Sequence, residues 1–237
     1  MTDSFVTYEL RDRVALITID DGKANAISHA ITDALGDALS QARTEAGAVV
    51  LAGRPGRFSA GFDLSVMTSS PEAARGLLAA GAGVAIDIHE FPMPVVIAST
   101  GHALAMGAIL LMAADVRIGA MGTFKIGLNE VAIGMPVPRF AVELARTSLS
   151  NAAFTAAVNH ATVYDPEGAV RAGYLDQVVA EDAVLTTAMA HAADLAERLD
   201  PTAFAVTRAN CRGASLALIR DGLAADIASF VVRTPES

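Results

Sequence analysis

Apolar and polar positions along the chain alternate between two repeats. "VALITID" (residues 14–20) has the period-two pattern of a strand, and "DDGKANA" is the loop leaving it. From Ser28, apolar residues at Ile31, Leu35, Ala38, Leu39 and Ala42 follow helical spacing. "AVVLAG" and "PVVIAST" are short continuous runs rich in valine, as in strands buried on both faces. "SPE" at 70–72, "DPE" at 165–167 and "DPT" at 200–202 each put a capping Ser or Asp before a proline, which predicts three helix starts. Two further helical stretches and no strand are expected after Asp200. The order of elements predicts an α/β chain with a helical tail.

The longest apolar run lies between His102 and Asp115, twelve residues without charge or a side-chain hydrogen-bonding group. A spanning helix needs about 20 such residues, so this run predicts a buried core helix and no membrane segment. The start, "MTDSFVTYELRDR", is too charged for a secretory signal, and a cytoplasmic enzyme is expected.

Composition narrows the function classes. Hydrophobic residues make up 53% of 237 residues, which excludes a disordered chain. The formal charge of −9 argues against a nucleic-acid binder, which needs a basic face. It does not exclude an anionic small molecule held by a few local cations. The single cysteine, Cys211, rules out an intramolecular disulfide and is expected in the core or at an interface. Metal-ligand spacings and phosphate-loop motifs are absent, so neither metal nor cofactor is expected. "GRFSAG" is not a nucleophile elbow, because Arg57 stands where the first glycine belongs; Ser59 therefore falls outside that pattern. His102 is expected to hydrogen-bond locally and shape its turn.

Two junctions carry candidate chemistry. "PVVIAST" leads through "GHALAMGA", read as a glycine-containing turn, into a helix. "VVLAG" leads through "RPGRF" into "SAGFDL", a second strand, glycine turn and helix start. The first amides of a helix lack intrahelical acceptors. Two such turns facing one cleft would aim two N–H donors at one oxygen, as enolate chemistry requires.

"FSAGFDL" and "GHALAMGAILLMAAD" together resemble the two oxyanion-hole segments of the enoyl-CoA hydratase/isomerase (crotonase) superfamily. "FKIGLNEVAIGMPVP" is similar to that family's segment carrying a catalytic glutamate, and "DGKANAIS" to its loop contacting coenzyme A. The four occur in the family's order, and the resemblance covers essentially the whole chain. It implies a crotonase-like spiral of repeated ββα units over residues 1–200. It also implies a C-terminal helical oligomerisation segment, 201–237, in a homotrimer or dimer of trimers. The oxyanion amides would be those of Phe62 and Met106, and the proton-transferring group Glu130. Contacts to the substrate and its coenzyme A portion would come from Lys23, Ala24, Ala26, Ala60, Asp63, Leu64, Ser65 and Ile109. Arg54 and Arg57 are further candidate cations for the phosphates, and Asp63 is expected chiefly to cap its helix. Arg208, Arg212 and Arg220 are expected near a subunit contact, near a nucleotide, or on a solvated face.

One departure changes the expected chemistry. The family's hydratases carry a second glutamate three residues beyond the second oxyanion donor, and here that position is Ile109. Residues three apart share a helix face, so Ile109 should face the cleft. A lone Glu130, its pKa raised by apolar surroundings, suits double-bond isomerisation better than hydration. A weakened hydratase and a non-catalytic acyl-CoA-binding protein are the alternatives. Phe62 and Met106 are bulkier than the alanine and glycine common at those places, and the glycine-rich run after the glutamate is replaced by "MPVPRFAVEL".

Overall fold

In the computed structural model, which describes residues 5–231, each turn of the chain contributes a strand to a large sheet, a strand to a small one, and a helix outside them. β1 (Val6–Arg11) and β2 (Val14–Ile19) form an antiparallel pair, followed by β3 (Ala26–Ile27) and α1 (His29–Glu45). The second turn holds β4 (Ala48–Gly53), β5 (Gly56–Ser59), β6 (Gly61–Phe62), α2 (Leu64–Met67) and α3 (Pro71–His89). The third holds β7 (Val95–Ser99), β8 (Gly101–Leu104) and α4 (Met106–Ala113). The fourth holds β9 (Val116–Ala120), β10 (Ile126–Gly127), a 3-10 turn (Val131–Ile133) and α5 (Arg139–Ser148). Then come α6 (Asn151–Val158), α7 (Pro166–Ala172), β11 (Gln177–Val179), α8 (Val184–Arg198) and α9 (Pro201–Ser229). The large sheet runs β1-β2-β4-β7-β9-β11 and the small one β10-β8-β5, while β3 pairs with β6. This is the expected spiral of ββα units with a helical end. Among the described residues no helix is long and apolar enough to cross a membrane.

Burial follows the sequence pattern. Every residue of β4 and β7 is buried, because the large sheet is covered on both faces. Val50 and Ala98 pack in a cluster with Ala188 and Ala192 of α8, while Val49 and Ile97 face the main core. The expected caps form: Ser70 accepts from the Ala73 amide, Asp165 from Gly168, and Asp200 from Ala203.

Two junctions differ from the sequence reading. "GHAL" and "GRFS" are the strands β8 and β5, paired in parallel, where the glycines had suggested turns. Gly101 serves close approach, since a Cβ there would lie 2.1 Å from the Gly56 carbonyl carbon. The tail is also one 29-residue helix where two were expected. No proline follows Pro201 inside α9, and Gly213 is carried at the usual cost of about 1 kcal/mol.

Charged groups fasten α9 to its own chain. Asp115, just after α4, accepts from the Val95 amide, Arg208 and Arg212. Arg208 also donates to the Phe91 carbonyl, and Arg212 to the carbonyls of His89 and Ala113 at two helix ends. Arg220 pairs with Glu90. Arg208 and Arg212 therefore do not lie on a solvated face: both share Asp115, and their side chains are 5% and 19% exposed. Cys211 is exposed on α9, so the core reading of that residue fails.

Candidate active site

The loop after β2 is locked before any cleft forms. Asn25 is fully buried with φ +52°, and its Nδ2 donates to the carbonyls of Ile19, Arg57 and Phe58. Asp21 closes the loop by accepting from the amides of Lys23, Asn25 and Ala26. Ser59 donates its hydroxyl to the Asn25 carbonyl at 2.7 Å and accepts from the Gly61 amide. That hydroxyl is buried and committed, which disposes of a nucleophilic role. Sequence reading missed Asn25; its signal was an asparagine in a glycine-bearing loop, a residue that tolerates positive φ.

The two donor turns touch. Gly61 has φ +100°, and a Cβ on it would lie 2.8 Å from the Ala105 Cβ and 3.5 Å from the Met106 nitrogen. Gly107 lies so close to β5 that a Cβ would stand 2.7 Å from the Ser59 carbonyl oxygen. The Ile27 carbonyl accepts from Asp63, one residue past Phe62. Met106 opens α4 ahead of the first intrahelical bond, Ile109 N–H to the Ala105 carbonyl. Ala105 holds φ +49°, an uncommon conformation for a residue with a Cβ, which costs on the order of 1–3 kcal/mol and occurs most often at functional sites. The bulky side chains at these turns converge: the Phe62 ring and the Met106 methyl both reach the notch at Gly81 of α3.

Between the turns and the end of α9 lies a cleft with about 590 Å³ of space, its solvent-open mouth included. Ala60, Phe62, Leu64, Ala105, Ile109 and Glu130 line it, closed on one side by Phe230. A larger surface depression between Arg13 and α8 shares no residue with it. Ile109 thus faces the cleft, as its spacing from Met106 requires, while the Met106 side chain does not line it.

Glu130 is the only titratable side chain among the described residues lining the cleft. It is 7% exposed. Its carbonyl accepts from the amides of Ile133 and Met135, which fixes the backbone through the 3-10 turn and the left-handed Gly134. Burial pushes its carboxyl up to about 7, opposed in part by the nearby amides of Glu130 and Asn129. Oε2 has no hydrogen-bond partner among protein groups. A buried carboxyl with one unpaired oxygen, titrating near neutrality, can take a proton and return it.

The remaining sequence-predicted residues lie outside the cleft lining. Asp63 caps α2 by accepting from the Ser65 amide and hydroxyl, and that hydroxyl holds its carboxyl below the usual range. Lys23 is exposed and its carbonyl accepts from Arg54, the Ala24 carbonyl accepts from the Ala60 amide, and Ala26 pairs with Gly61. Arg57 donates to the Gly56 carbonyl. His102 accepts from the Lys125 amide and stands edge-on to Phe124, the local role expected of it. Phe230 reached the cleft unannounced by any local motif, and Asn129, inside the segment that carries Glu130, was not singled out from the sequence.

A family model described as enoyl-CoA hydratase/isomerase matches residues 9–233. A solved structure of an enoyl-CoA hydratase/isomerase family protein from Pseudomonas syringae is 42% identical, with a TM-score of 0.93 over 96% of this chain and 98% of that one. Human enoyl-CoA delta isomerase 1, mitochondrial, is 29% identical over 187 residues, 78% of this chain and 62% of that protein. A Bacillus subtilis protein named "Probable enoyl-CoA hydratase" is 37% identical over 132 residues, 54% of this chain and 50% of that protein. The chain thus spans between half and two thirds of the length of these two relatives.

Proposed function

The chain belongs to the enoyl-CoA hydratase/isomerase family, and from that premise we propose that it moves a double bond within an enoyl-CoA thioester through one carboxylate. The observation that carries this reading is the composition of the cleft wall. Among the described residues Glu130 is its sole titratable side chain, and Ile109, at the position where the family's hydratases carry a second glutamate, adds none.

The chemistry follows from the groups present. The thioester oxygen accepts from the amides of Phe62 and Met106, so negative charge developing on it meets fixed donors that need no reorganisation. Ionised Glu130 removes a proton from C2 of a 3-enoyl thioester. The electron pair spreads through the dienolate to the oxyanion. Glu130 then returns the proton to C4, leaving the double bond between C2 and C3. Proton, charge and bonds balance without a metal or redox cofactor, and coenzyme A enters as part of the substrate. A base titrating near 7 is well matched to both halves of this cycle at neutral pH.

Coenzyme A would run along the backbone near Ala24 and Ala26 and past Asp63 to Ser65, with Lys23 as the local cation. A homotrimer or dimer of trimers belongs to the same reading, supported by Val206 and Leu218 exposed on α9.

The test is a comparison of two rates on one preparation, 3-enoyl-CoA isomerisation against 2-enoyl-CoA hydration. Isomerisation should dominate and vanish in Glu130→Gln. Efficient hydration lost in that variant would overturn the isomerase reading in favour of a hydratase. Tight binding of acyl-CoA without exchange of its C2 protons would mean a binding protein without turnover.

A further inference from the structure

α3 carries a glycine where its immediate neighbours are alanines. Gly81 is buried in the helix interior, between Ala80 and Ala82, at a cost of about 1 kcal/mol relative to alanine. A Cβ there would lie 2.5 Å from both Cε1 and Cζ of the Phe62 ring and 3.4 Å from the Met106 methyl. Gly83, two residues on, offers a contrast, since a Cβ on it would meet nothing within 4 Å. The missing side chain at 81 is therefore matched to the Phe62 ring, which fills the space an alanine methyl would need.

That ring also belongs to the cleft. Phe62 lines it together with Leu64, Met67 and Leu78, and Leu78 lies one turn before Gly81 on α3. All four are apolar, so this side of the cleft suits a hydrocarbon tail. The ring and the donor amide of Phe62 are held separately: the backbone pairs with Ile27 in the β3–β6 ladder, whereas the ring rests on α3. The Met106 methyl and the close-packed core stand beside the notch, so a ring pushed out of it has only the cleft to enter.

We propose that Gly81 and Phe62 together set the room for the substrate's acyl chain. With no side chain at 81 the ring sinks against α3, and the ring so parked walls a compartment for an aliphatic tail. Gly81 acts through Phe62 and is a positioning residue; the ring itself is the group that meets the tail. The inference rests on the acyl-CoA reading of the cleft, and it is independent of the choice between isomerase and hydratase.

The experiment measures calorimetric binding of butanoyl-, octanoyl- and dodecanoyl-CoA to the full chain, with free coenzyme A as reference. These saturated thioesters have no double bond to move, so affinity is read without turnover. Gly81→Ala, a change that favours the helix, should drive the ring into the cleft. Octanoyl- and dodecanoyl-CoA should then bind on the order of tenfold more weakly, the effect of a misfit methylene in an apolar pocket, with butanoyl-CoA little changed. Phe62→Ala keeps the amide and should strengthen the long chains relative to butanoyl-CoA. Adding Gly81→Ala to Phe62→Ala should have no further effect, because the ring it displaces is gone. Equal losses at every chain length, or a Gly81→Ala effect that persists without the ring, overturn the proposal. Either single variant decides the matter if the other fails to fold. A wild type that binds no thioester more tightly than free coenzyme A refutes the proposed function and this inference together. A wild type that binds them, with a length profile unmoved by either variant, refutes this inference alone.

Discussion

Replacing Glu130 by glutamine removes a group whose charged form is disfavoured by the cleft around it, so the variant should gain stability where the wild type is ionised. The carboxyl titrates near 4.5 in an open chain and near 7 when folded. Between those values the native state holds a proton that the unfolded state has lost. Wild-type stability must therefore fall as pH rises through that window, then level off. At roughly 1.4 kcal/mol per pH unit the total is about 3 kcal/mol. For a chain of this size that corresponds to a melting-temperature difference on the order of 6–12 °C. Calorimetric melts of both proteins from pH 4.5 to 8.5 check it: the two curves should meet at the acid end and separate towards neutrality, Glu130→Gln lying higher. Activity should move the opposite way, falling on the order of 10²–10⁴-fold. Parallel stability curves across the range would refute the claim that the cleft disfavours the Glu130 anion.

Ile109→Glu should raise the ratio of 2-enoyl-CoA hydration to 3-enoyl-CoA isomerisation, while lowering the melting temperature at pH 8, because it buries a second carboxylate near Glu130; both are read on one preparation. Asp115→Asn takes the charge from between Arg208 and Arg212 and should cost about 3–5 kcal/mol, with hydrogen exchange accelerating first along α9. Phe230→Ala opens the closed side of the cleft, so kcat/KM should rise for longer acyl chains relative to short ones across a substrate series.

The sequence made legible what local chemistry decides. β4 and β7 announced themselves because a strand covered on both faces must be apolar at every position. Ser70, Asp165 and Asp200 announced helix starts because a cap and a proline act within one turn. Glu130, Ile109 and the two donor turns came from motif resemblance, and the structure brings these segments to one cleft. Glycines misled, since Gly101 looks the same whether it bends a chain or lets β8 approach β5. The docking of α9 was hidden because Asp115 and its two arginines lie more than ninety residues apart. Phe230 carries no local signature; only the folded chain brings it to the cleft of Glu130.

The ionic clasp of α9 has a consequence for the cleft. Among the described residues, Phe230 and Glu130 line one cleft within a single polypeptide, so loosening the clasp at Asp115 would reach the cleft wall through the end of that helix.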